Sequence, residues 1–202
     1  MAPKKTTTAK PLEKRLFKNQ AAWHAWLETH HAEPDGLWLQ IAKKGSGIAS
    51  VTYPEALDVA LCFGWIDGQV LPHDEKCFLR KFTPRRGKSL WSKINRTKAE
   101  ALIRAGRMHA AGQRAIDEAQ ADGRWDTAYD ASRSATIHPD LQAALDKNKA
   151  AAAFFAKLDR TNRYSVLYRV QTARSPELRA RRIAGIIAML KEKKVFHPRL
   201  LK

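Results

Sequence analysis

Two runs, Trp65–Leu71 and Lys76–Phe82, are joined by the polar turn Pro72-His73-Asp74-Glu75 and have the length and content of paired strands. Past Pro84 no comparable run occurs, and apolar residues recur at helical spacing instead. A chain with that break in period folds as α+β, with its sheet confined to the first half. Leu37–Lys43 reads as a further, largely buried strand, so the expected fold is a small antiparallel or mixed three-stranded sheet with helices, followed by an all-helical half. The expected parts are a flexible basic tail over 1–15, an α+β region over 16–95 and a helical region over 96–202.

Helix starts are legible from capping chemistry. Asn19 precedes Trp23, Trp26 and Leu27 at helical spacing, and Pro34-Asp35-Gly36 ends that helix. Thr52 with Glu55 three residues on forms a capping box before Ala56, Val59, Ala60 and Phe63, and Gly64 closes the run. Later helices are expected over Lys98–Ala105, Met108–Ala121, Leu141–Leu145 and Ala150–Leu158, and around Tyr164–Tyr168. The last opens on Ser175-Pro176 and carries the stripe Ile183, Ile186, Ile187, Leu190.

The formal net charge of +17 is not spread evenly. Residues 1–22 carry +5, 23–78 carry −5, 79–107 carry +9, 108–148 carry −3 and 149–202 carry +11. Blocks of this size create a field that draws phosphates, nucleic acid or an anionic surface; the plainer account is a basic coat on solvated helices. With 44% hydrophobic residues in periodic patterns, general disorder is excluded. No stretch approaches the roughly 18 apolar residues of a membrane span, and MAPKKTTTAK lacks the apolar core of a signal peptide, so a cytoplasmic location is expected. Cys62 and Cys77 are not spaced as a C-x-x-C pair and are expected as reduced, partly buried thiols.

The chemistry-bearing residues concentrate between Gly64 and Asn95. Arg85, Arg86, Lys88 and Lys93 lie near Phe82 and Trp91. Guanidinium groups bind carboxylate or phosphate through paired hydrogen bonds, and an indole face stacks a base or sugar ring. The candidate ligand-binding set is Trp65, Asp67, Arg85, Arg86, Ser89, Trp91 and Asn95; the plainer account is a solvated basic loop with Trp91 in a core. Asp67 is a weak candidate for a general base, and otherwise a structural partner of Arg80, Arg85 or Arg86. Gly87-Lys88-Ser89 is not a nucleotide loop, because Phe82 stands where the leading glycine belongs. Lys43-Lys44-Gly45-Ser46-Gly47 is either an N–H-rich anion cradle or a plain turn. The seven histidines show no metal spacing with one another or with the cysteines, so neither a metal nor a cofactor is expected. Arg179 and Arg182, near the start of the last helix, make a secondary basic site.

Gly64-Trp65-Ile66-Asp67-Gly68, Phe82-Thr83-Pro84-Arg85-Arg86 and Ser89-Leu90-Trp91-Ser92-Lys93-Ile94-Asn95 are ordered motifs. With Ala105-Gly106-Arg107-Met108, Asp122-Gly123-Arg124-Trp125 and Pro176-Glu177-Leu178-Arg179, the chain resembles the YdeI/OmpD-associated, or bacteriocin-protection, family over about residues 17–197. The resemblance implies a link to stress and antimicrobial resistance and a family domain over about 137–197, and it carries over no catalytic residue. It also implies a periplasmic location and an oligonucleotide-barrel fold, from which this helix-rich chain without an export signal departs. Leu178 stands where the family has Thr. The expected function is therefore binding of an anionic ligand, nucleic acid among the candidates, without catalysis. The alternatives are an enzyme acting on a small phosphorylated or carboxylated substrate in a Trp65/Asp67/Arg85/Trp91 pocket, and a helical adaptor docking an acidic protein. The sequence sets no oligomeric state.

Overall fold

The structure, a computed structural model, describes residues 11–198. The basic tail expected over 1–15 falls mostly on residues 1–10, outside the described residues. Its last part is not tail: Lys14–Leu16 forms strand β1, which runs parallel to β2 (Leu37–Ala42). Three residues are too few to show a period, so only backbone pairing, such as Trp38 N–H to Glu13 O at 2.8 Å, reveals the strand. Helix α1 (Gln20–His30) supplies the crossover that two parallel strands require. After α2 (Tyr53–Cys62) the hairpin β3 (Trp65–Pro72) and β4 (Cys77–Pro84) completes a mixed sheet of four strands, in the order β1-β2-β4-β3, where three were expected. Among the described residues the sheet is open, with β1 and β3 at its edges, and does not close into a barrel.

The caps act as the sequence implies. Asn19 accepts from Ala22 N–H at 2.9 Å, and the Glu55 carboxylate takes both the Thr52 N–H (2.9 Å) and the Thr52 hydroxyl (2.7 Å). Helix α1 lays Trp23 at the centre of an aromatic cluster with Phe17, Trp26, Trp65 and Phe82, at ring separations of 5.1 to 6.2 Å. Trp23 Nε1–H donates to Ala56 O on α2 at 3.1 Å, which ties the two helices together above the sheet.

Strand β2 alternates where a largely buried strand was expected. Leu37, Leu39 and Ile41 are buried, whereas Trp38, Gln40 and Ala42 are half-buried on the opposite face. The register places Phe82 and Arg80 of β4 on the first face and Lys81 on the second.

Helix α3 (Lys93–Arg104) begins five residues earlier than its apolar pattern indicates, because Ser92 Oγ accepts the Asn95 N–H at 3.1 Å. Helix α4 (Ala110–Ala121) packs on α2 through two glycines. Gly64, at φ +73°, sits against Ala111 O, and Gly112 sits against Cys62 O. Helices α5 (Pro139–Asp146), α6 (Lys149–Ala156), α7 (Arg160–Gln171) and α8 (Pro176–Lys191) enclose a separate core of Leu141, Leu145, Phe155, Val166, Val170, Ile183, Ile186 and Leu190. The chain divides into two compact units. The first takes residues through Ser89 plus Thr97–Gly123, and the second takes Leu90–Arg96 and the chain from Arg124 on. That partition does not follow a single cut at 95/96.

Candidate functional site

The sequence-nominated residues fall into both units: Trp65, Asp67, Arg85, Arg86 and Ser89 into the first, Trp91 and Asn95 into the second. Trp65 is buried, with its Nε1–H donating to His31 O at 2.8 Å and its ring edge-on to Trp23 and Trp26. Trp91 is buried against Trp125 at 4.8 Å in a T-shaped pair. Both indoles therefore have their faces in aromatic cores. Arg86 is exposed on a turn closed by its own N–H to Ser89 Oγ (2.9 Å), beside exposed Lys88. Arg85, Ser89 and Asn95 are half-buried.

Asp67 lies on the helix-covered face because its register partner is Phe82. There Oδ2 accepts from the Tyr53 hydroxyl (2.9 Å) and from Arg80, whose guanidinium also covers the Tyr53 ring at 4.7 Å. Burial, and next the Asp67 charge, hold the Tyr53 phenol above its ordinary range. Arg80 is one of the three partners the sequence offered for Asp67, and this carboxylate has the bonding of a clamp between α2 and the hairpin. With side chains only 13% and 20% exposed, losing one partner leaves the other desolvated. Asp67→Ala is expected to cost about 2 kcal/mol in chemical denaturation, below the range for fully buried pairs. A change within 0.5 kcal/mol would remove the clamp from the account.

In the second unit a polar pocket of about 350 Å³ is lined by Lys93, Asp126, Asp130, His138, Gln171 and Arg179, among others. Asp130 organises it, accepting from Lys93 Nζ (2.7 Å) and Gln171 Nε2 (2.8 Å), while its backbone oxygen takes the Tyr164 hydroxyl (3.0 Å). Burial, with Tyr129 and Tyr168 beside it, pushes the Tyr164 phenol up to about 12. The secondary basic pair is engaged inside this unit. Arg179 Nε donates to Asp140 at 2.7 Å. Arg182 donates to Arg169 O (2.6 Å) and the Thr172 hydroxyl (3.3 Å), where it offsets the negative end of α7.

The sheet's outer face was not singled out in the sequence. Register places Lys14, Trp38 and Lys81 side by side across β1, β2 and β4, with Lys14 exposed and the other two half-buried. Gly68, in the bulge between Asp67 and Val70, lies beyond Lys81, 3.6 Å from its Cβ at the point where a side chain would start. The signal available was the alternation of β2, masked by the apolar character of Trp38. Among the described residues, no group of three or more His, Cys, Asp and Glu side chains has metal-binding geometry. Both cysteines are free and buried, burial raising the Cys62 thiol. No described helix is long and apolar enough to cross a membrane.

These features define a protein of two parts, an α+β unit with a cationic sheet face and a helical unit with a polar pocket. The chain belongs to the family described as Domain of unknown function (DUF8412), whose model matches residues 15–115, half its length. Residues 134–193 match the model described as Bacteriocin-protection, YdeI or OmpD-Associated, the family that its motifs resemble. No curated protein and no solved structure matches the chain.

Proposed function

We propose that this protein binds anionic ligands, nucleic acid foremost, and contributes to stress and antimicrobial tolerance in the cytoplasm by binding rather than by catalysis. The observation that carries this reading is the distribution of charge over the sheet. Strands β1, β2 and β4 contain no Asp or Glu, and the one carboxylate of β3, Asp67, faces the helices and is engaged by Arg80. Lys14 and Lys81 consequently stand on the outer face with no strand carboxylate to neutralise them. Exposed Arg86 and Lys88, just after β4, add positive potential. The bonding of Asp67 also supports a binding role, since the carboxylate nominated as a base is occupied in holding the fold.

Counterion release gives the test. Binding of a mixed-sequence oligonucleotide should weaken steeply between 50 and 200 mM salt, the log–log slope giving the number of phosphates contacted (about 0.7 to 0.9 per phosphate). Lys81→Ala and Arg86→Ala should each lower the slope by roughly one contact. Absence of binding at low salt would sink the reading.

A further inference from the structure

We propose that the outer face of the sheet is a platform for single-stranded nucleic acid, in which Trp38 stacks an unpaired base while Lys14 and Lys81 hold the phosphates on either side of it. This rests on the anion-binding reading above and narrows it to one partner and one surface.

The register makes the case. Lys14 pairs with Trp38 and Trp38 with Lys81, so the three side chains leave the same face in one row perpendicular to the strands. Neighbouring strands are about 4.8 Å apart, so the two lysines flank the indole at about one strand spacing each. Lysine stems are long enough to bring each ammonium to a backbone that crosses the row, with the base between them lying over the ring. Gly68 leaves the end of the row beyond Lys81 without a side chain, and that strand is exposed from Gly68 to Pro72. Two residues along β2, Gln40 occupies the same face opposite buried Leu79, and its side-chain amide nitrogen lies 2.9 Å from His73 Nε2. A fixed amide next to a stacking ring is placed to meet a base edge.

Charge and shape choose the occupant. A row of ammonium, indole and ammonium with no carboxylate on the strands around it favours an anion whose charges alternate with flat apolar groups, as the phosphates and bases of a single strand do. A duplex shows such a surface only its phosphates and groove edges, because its base faces are already stacked. A purely inorganic polyanion would use the two lysines and leave the indole idle. Trp38 also differs from the other indoles of this unit: Trp23, Trp26 and Trp65 are buried, whereas Trp38 is in part open to solvent.

Fluorescence anisotropy with a labelled twelve-nucleotide oligodeoxythymidylate, the matching duplex and inorganic polyphosphate as probes tests this on the full chain. The expected result is at least tenfold tighter binding of the single strand than of the duplex. Trp38→Ala should weaken single-strand binding about tenfold and leave polyphosphate binding unchanged. Trp38→Phe should keep most of the single-strand affinity, and it guards against a folding defect in the alanine variant. Lys14→Ala with Lys81→Ala should weaken all three probes. Equal affinity for single strand and duplex, or an unaltered single-strand affinity in both Trp38 variants, overturns the platform while general anion binding stands. Loss of every interaction at 50 mM salt in the wild-type chain overturns both.

Discussion

Trp23→Ala is expected to destabilise the sheet-bearing unit by about 4 kcal/mol, the range measured when large aromatic core residues are truncated. Trp23 is fully buried and contacts Phe17, Trp26, Trp65 and Phe82, so its removal opens a cavity walled by four rings from α1, β3, β4 and the segment after β1. Rings fixed by strand register cannot all shift inward, and cavity cost rises with the volume left unfilled. The lost Nε1–H donor also leaves Ala56 O, inside α2, without its side-chain partner. Urea denaturation followed by near-ultraviolet dichroism reads this directly. A loss under about 1.5 kcal/mol would mean that the cluster is loosely packed and that another contact joins α1 to the sheet.

The second large effect concerns a sign. In a helix interior Gly→Ala normally stabilises by up to about 1 kcal/mol, since alanine lowers the entropy of the unfolded chain. Gly185, inside α8, has open space where a Cβ would go, and Gly185→Ala should show that gain. Gly112, inside α4, should show the reverse, a net loss of about 3 kcal/mol. Its added methyl group would overlap the Cys62 carbonyl and crowd Met108 Sδ, and a backbone oxygen at the end of α2 does not swing aside as a side chain does. The same carbonyl accepts the His109 N–H at 3.1 Å, so displacing it also disturbs the entry to α4. Paired thermal melts of the two variants check the contrast. If Gly112→Ala is neutral, the close approach of α2 and α4 is not tight.

Legibility in the sequence followed the range of the signal. Asn19, Thr52–Glu55 and Ser175 act within three residues, and each begins its helix where expected. The hairpin was readable because its turn is polar and its strands long. Strand β1 was not, since it owes its existence to pairing with β2, 24 residues on in register (Lys14 with Trp38). The start of α3 was displaced because Ser92 caps a first turn, Lys93–Arg96, that is mostly polar. Among the candidate site residues, composition located the segment rich in charge and aromatics but not the direction of each side chain. Trp65 and Trp91 have the same chemistry as Trp38, yet they are enclosed while Trp38 is half-open. Only register and packing separate an indole that builds a core from one that meets solvent, and neither is local.

The irregularity between Asp67 and Val70 has a bearing on how copies of this chain meet. Strand β3 is a sheet edge that carries Val70 and Leu71 at 51% and 43% exposure, the kind of border onto which another strand readily zips. An extra residue opposite Lys81 twists that border and interrupts its run of amide groups, and Pro72 removes one donor at its end. At the opposite border β1 is only three residues long and begins with a lysine. The described sheet thus ends on both sides in a fringe ill-suited to template further strand pairing, even where Val70 and Leu71 stand exposed.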